Sequence, residues 1–113
     1  MSQNRLPRAE YAYVEEPKVR SYLLNFEHEQ GKSKAKFFTN RGFAADDWNS
    51  LAQSLVTQGQ NNPLSKSTDT PYGVRYQVDC NCPTPDQTNP CIRTVWEVAP
   101  SADNPRLVTA HPL

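Results

Sequence analysis

The chain has 113 residues, with 12 Lys plus Arg balancing 12 Asp plus Glu for a formal net charge of zero. That length supports one domain with a single modest core and excludes a second active domain. The charge balance excludes bulk attraction to nucleic acid or membrane, so any anion site has to be local.

Mean hydropathy is -0.78, and apolar runs such as Tyr22-Leu23-Leu24 fall far short of the roughly 20 residues that span a bilayer. A soluble protein with no membrane partner is expected. The opening Met1 to Pro7 lacks the apolar stretch of a secretory signal, so ordinary export is not expected from it, although a larger exported protein can carry such a module.

Residues 1–10 are polar and read as a flexible arm ahead of Tyr11-Ala12-Tyr13-Val14, whose aromatic and β-branched content suits a short edge strand or packed extended segment. Glu15-Glu16-Pro17 supplies the acids and proline of a helical first turn, and Val19, Tyr22, Leu23 and Phe26 follow at helical spacing. The interval Glu27 to Gly31 breaks that helix. A second helix is predicted from Ser33, as its cap, to Arg41, with Gly42 as the stop.

Asp46 or Asp47 caps a third, in which Trp48, Leu51, Ala52, Leu55 and Val56 form an apolar stripe and Gly59 is the end. Gln60 to Thr70 reads as an exposed polar loop. The period then changes to two. Tyr72 to Cys80, Ile92 to Ala99 and Arg106 to His111 are predicted strands, the last two separated by a turn over Pro100 to Pro105. The result is an α+β domain over 1–113, with N-terminal helices packed on one face of a three- to four-stranded antiparallel sheet. The proline-rich segment Pro83 to Pro90 reads as an exposed hairpin end or binding loop.

Chemistry concentrates first in His28-Glu29-Gln30-Gly31-Lys32-Ser33-Lys34-Ala35-Lys36-Phe37-Phe38. A histidine moves protons near neutral pH and lysines stabilise phosphate or oxyanion charge, although a lysine-rich run also describes the wet face of a helix. On the open sheet face, Arg75, Gln77 and Asp79 stand beside Arg93 and Glu97. Arginine forks bind phosphate, and equally they pair across strands with carboxylates.

On the last strand, size and polarity favour Val108 and Ala110 inward, which turns Thr109 and His111 to the open face. Tyr72 is a candidate for stacking on a base, whereas Tyr76, Trp48 and Trp96 are assigned to packing. Cys80, Cys82 and Cys91 are odd in number. Cys91 can close a loop with Cys80 or Cys82, or all three can remain thiols. A zinc site would need a fourth ligand, and only the distant His28 and His111 remain, so no metal or cofactor is assigned. Phosphate-binding glycine loops, paired-histidine metal motifs and serine nucleophile elbows are absent.

A resemblance adds to this. Leu6-Pro7-x-Ala9-Glu10, Lys18-x-x-x-Tyr22-Leu23-Leu24-Asn25, His28-x-x-Gly31-x-Ser33-Lys34-Ala35-x-Phe37-Phe38, Gly42-Phe43, Tyr72-Gly73-x-x-Tyr76-x-Val78 and Pro105-Arg106-Leu107-Val108-Thr109-Ala110 together resemble an uncharacterised family of small bacterial domains. These are similar to toxin cassettes carried alone or at the C-terminus of larger bacterial and phage-encoded proteins. The layout is also similar to that of the barnase, EndoU, colicin and RelE-like ribonuclease toxins.

The resemblance implies metal-independent cleavage of RNA in the cytoplasm, after delivery from another cell, and a cognate immunity or antitoxin protein as partner. His28 or His111 would then be base or acid, Lys34, Arg75 and Arg93 would hold phosphate, Thr109 would bond a phosphate oxygen, and Lys32, Lys36 and Tyr72 would contact substrate. The neutral charge and the His111-Pro112 ending, where relatives have Tyr-Pro, depart from that pattern. The competing class is a non-catalytic binding module: an antitoxin, an immunity protein or a phage-associated adaptor.

Overall fold

The computed structural model describes residues 5–101 and 104–113. After a 3-10 turn at Ala9–Tyr11 comes α1 (Glu16–Lys18), which continues as a π-helical turn over Val19–Leu23. Next are α2 (Lys32–Asn40) and α3 (Trp48–Asn61), the latter entered through a 3-10 turn at Ala45–Asp47. Four strands complete the chain: β1 (Leu64–Thr70), β2 (Gly73–Asn81), β3 (Cys91–Val98) and β4 (Arg106–Pro112). They form one antiparallel sheet in the order β1-β2-β3-β4. This is the α+β arrangement read from the order of helical and strand periodicity.

The apolar stripe of α3 covers the sheet, with Leu51 and Leu55 fully buried against a core that includes Val78, Ile92, Trp96 and Leu107. Gln58 on the same helix is also fully buried, and its partners explain how. Its amide donates to the carbonyls of Val78, Cys80 and Ile92 and accepts from the Thr94 hydroxyl, which in turn accepts from the Trp96 indole at 2.7 Å. A buried amide is stable only with such a full set of partners. α3 runs through Gly59 instead of stopping there. A Cβ at Gly59 would lie 2.8 Å from the Trp96 ring, so this glycine admits the indole instead of ending the helix.

Other expectations are corrected. The segment from Gln60 to Thr70, expected to be a loop, contains β1. Its residues are almost all exposed, so backbone pairing with β2 holds an edge strand whose sequence carries no apolar alternation. The first helix ends at Leu23 and not beyond Phe26, which is 55% exposed. The Leu24 amide reaches back to Val19 at 2.8 Å, and the widened turn buries Val19, Leu23 and Leu24 together.

In β4, Val95 pairs with Thr109 but Trp96 with Leu107. Val108 is therefore an extra residue in a bulge, and Leu107 turns inward in its place. Thr109 and His111 stay on the opposite face from Ala110, as expected. Leu6, within the stretch expected to be an arm, is buried at 3%; residues 1–4 of that stretch, and Ala102 and Asp103 of the predicted turn, lie outside the described residues. Tyr13 forms a parallel bridge to Arg106, in keeping with a packed extended segment.

The proline-rich loop is built on its own bonds. Thr84 exchanges hydrogen bonds with Asn89, and the Asp86 carboxylate accepts from the hydroxyls of Thr84 and Thr88. Pro85 packs so closely on Gly42, which has φ +104, that a Cβ there would sit 2.8 Å away.

Candidate functional site

Three strands and two helical segments converge on one end of the open sheet face. Antiparallel register sets Asp79, Arg93 and His111 side by side across β2, β3 and β4. Arg93 donates to both oxygens of Asp79, at 2.9 and 3.0 Å. That bidentate fork fixes the guanidinium plane and, with Arg93 beside it, holds the Asp79 carboxyl below its usual value. Thr109 lies one alternate position along β4 from His111, on the same face.

The helices supply the other wall. The Tyr22 hydroxyl, carried on the π-helical turn, lies 3.3 Å from Thr109 Oγ1. Lys34 on α2 places its ammonium 5.1 Å from the Tyr22 ring centre, and Lys18 stands 5.5 Å from it. Burial raises the Tyr22 phenol, but bonding to Lys34 and Thr109 and the charges of Lys34 and Lys18 outweigh it, so the phenol sits below its ordinary value. For His111, burial comes first, then the charges of Lys34 and Arg93; Asp79 opposes them, and the net effect lowers its pKa. A histidine lowered from 6.5 is neutral at pH 7 and available as a base.

His28 is held differently. Its ring meets Tyr22 edge to face at 4.9 Å, and Nδ1 accepts from the backbone amides of Gln30 and Gly31 at 3.1 and 3.0 Å. The imidazole thus braces the turn ahead of α2; the Gly31 N-cap has no side-chain cap bond, and Ser33, expected as the cap, lies inside the first turn. The ring positions the Lys34 helix against Tyr22. Gly31 makes that approach possible, because a Cβ there would come 2.2 Å from the Tyr22 carbonyl.

The remaining sequence candidates fall elsewhere. Arg75 bonds Glu97 at 3.1 Å, and Glu97 also takes Arg106, which reaches Glu15. Arg75 is therefore matched within a charge network about four residues, roughly 13 Å, along the strands from the Arg93 row. Tyr72 is 71% exposed in the β1–β2 turn, at the far end of β2 from Asp79. Lys32 and Lys36 are exposed and, two residues either side of Lys34, point about 200° away around α2.

Tyr22 is the member that sequence reasoning missed, having been counted in an apolar stripe. Its hydroxyl, which needs a partner when half-buried, was the available signal. Among the described residues, no three His, Cys, Asp or Glu side chains assemble as metal donors. A depression between α3 and Pro83–Pro85 is lined by neutral side chains such as Asn49, Ser50 and Gln53, so it offers no acid, base or cation.

The arrangement is a small α+β domain in which strands bring Arg93, Thr109 and His111, and helical segments bring Lys18, Tyr22 and Lys34, to one end of the sheet. The chain belongs to the family described as a domain of unknown function, DUF6883, whose model matches residues 5–113. Among solved structures, it is similar in fold to a chain of a contact-dependent growth inhibition toxin–immunity protein complex from Klebsiella pneumoniae 342. The TM-score is 0.70 at 18% identity, over 92% of this chain and 95% of that one. No curated protein matches the chain.

Proposed function

We propose that this chain is a bacterial toxin-type domain that cleaves RNA without a metal ion, acts in the cytoplasm of a cell to which it is delivered, and is neutralised by a cognate immunity protein. The observation that carries this reading is the convergence of Tyr22, Lys34, Arg93, Thr109 and His111, from α1's π turn, α2, β3 and β4, on one end of the sheet. The fold similarity to a chain of a toxin–immunity complex supports a toxin- or immunity-type domain.

RNA carries its own nucleophile, so the chemistry needs only proton transfer and charge stabilisation. Neutral His111 takes the proton of the ribose 2'-hydroxyl, and that oxygen attacks the adjacent phosphorus. Lys34 and Arg93 hold the charge that builds on the phosphoryl oxygens, with Thr109 donating a hydrogen bond. As the bond to the 5'-oxygen breaks, Tyr22 gives up its proton to the leaving oxygen, and a 2',3'-cyclic phosphate results. Neighbouring Lys34 and Lys18 favour the phenolate that forms. The three cations Lys18, Lys34 and Arg93, set against Asp79, supply the local attraction that a chain of zero net charge lacks overall.

A second reading, a non-catalytic antitoxin, immunity protein or adaptor, is favoured by that zero net charge. Expression in a bacterial host separates the two. Growth arrest by the wild type that Lys34→Ala and His111→Ala abolish, with both variants folded by circular dichroism, is expected of the toxin. Normal growth with the wild type rejects it, and arrest that both folded variants retain removes Lys34 and His111 from the active site.

A further inference from the structure

Two thiols beside the cluster take no part in that chemistry. Cys80 lies opposite Ile92, and Asn81 lies opposite Cys91, so Cys80 and Cys91 are one residue out of direct register across β2 and β3. Directly opposed residues lie roughly 5 Å apart and the rise is roughly 3.4 Å per residue, which separates these Cα atoms by about 6 Å. That spacing suits a disulfide. A regular ladder would nevertheless point the two side chains to opposite faces. Cys80 escapes this because its φ is +121, a conformation that L residues rarely adopt.

With that departure from the pleat, Cys80 and Cys91 are neighbours at the open end of the β2–β3 ladder, and the Cys91 thiol feels that of Cys80. That proximity, with burial and the nearby charges of Cys80 and Asp79, pushes the Cys91 thiol up to about 11. Both thiols are free and half-exposed. Cys82 differs: it is fully buried, faces the carbonyls of Ser54 and Pro83, and is pushed up to about 12 by burial.

We propose that Cys80 and Cys91 form a reversible disulfide site, closed in oxidising surroundings and open in reducing ones, with Cys82 excluded from it. On closure each thiol loses its proton and one sulfur–sulfur bond forms. The two electrons pass to a disulfide oxidant such as oxidised glutathione, whose own sulfur–sulfur bond is reduced to two thiols. The bridge ties the strand ends next to Asp79 and Arg93 and closes the proline-rich loop. It stands independently of the ribonuclease reading.

The test is intact-mass analysis and peptide mapping of the folded protein after equilibration with oxidised and reduced glutathione. In oxidising buffer, the wild type and Cys82→Ser lose two hydrogens, the bridged peptide joins Cys80 to Cys91, and the melting temperature rises by about 5–10 °C. Cys80→Ser and Cys91→Ser form no internal bridge. A monomer that keeps three alkylatable thiols in oxidising buffer, or a bridge through Cys82, overturns the proposal.

Discussion

Gly31→Ala sets two physical effects against each other. Gly31 has φ -96 and ψ -14, right-handed helical values at which alanine is intrinsically favoured by about 0.4–1 kcal/mol through the unfolded chain. Helix propensity alone therefore calls for a more stable protein. The added Cβ, however, would lie 2.2 Å from the Tyr22 carbonyl oxygen and 3.1 Å from its Cδ1.

Backbone atoms cannot swing aside as a flexible side-chain end does. Regaining even a 3.0 Å contact displaces the start of α2 from Tyr22 by about 0.8 Å. Overpacking of this kind costs about 1–3 kcal/mol, which outweighs the propensity gain. A net loss near 1 kcal/mol is expected, lowering Tm by roughly 4 °C, as read by urea and thermal unfolding. The same displacement moves Lys34 away from Tyr22, and errors near 1 Å cost about 100-fold in rate at a catalytic cluster. A Gly31→Ala protein as stable as the wild type, or more so, would show that α2 does not approach Tyr22 as described.

Three further outcomes are expected. Lys34→Met raises the titration midpoints of both His111 and Tyr22, because Lys34 lowers each; an NMR titration in which neither moves contradicts the cluster. Since the folded His111 pKa lies below its ordinary 6.5, its neutral form is favoured by folding. The associated stability is complete above pH 6.5 and is lost as pH falls through the lowered value; His111→Gln should flatten that part of the stability profile in denaturation series from pH 7 to 4. Gln58→Leu removes the amide partner of Thr94 and of three backbone carbonyls and should destabilise by about 3 kcal/mol, whereas a loss under about 1 kcal/mol in urea unfolding would mean that water or rearrangement satisfies those groups.

The parts of the fold legible in the sequence were those with a clean period. The α3 stripe and the alternation in β2 and β3 mark the core and open faces by residue type alone. β1 was illegible because Ser65 to Asp69 lie on an edge with no buried face, so nothing apolar recurs at period two. The β4 bulge was hidden because both Leu107 and Val108 are apolar and only pairing with Trp96 decides between them.

At the site, Lys34, Arg93, Thr109 and His111 were nameable from residue type and face. Their grouping depended on strand register, which also separates Arg75 from them. Helical geometry alone could have divided Lys34 from Lys32 and Lys36. Tyr22 required the π-helical turn, for which the sequence carries no short-range signal.

The most direct measurement is incubation of the purified protein with total bacterial RNA in EDTA, comparing the wild type with Lys34→Ala, Arg93→Ala and His111→Ala. Discrete cleavage by the wild type, with 2',3'-cyclic phosphate ends and a loss of about 100-fold or more in each folded variant, is the expected result. Intact RNA with the wild type, or cleavage that all three variants retain, would contradict it.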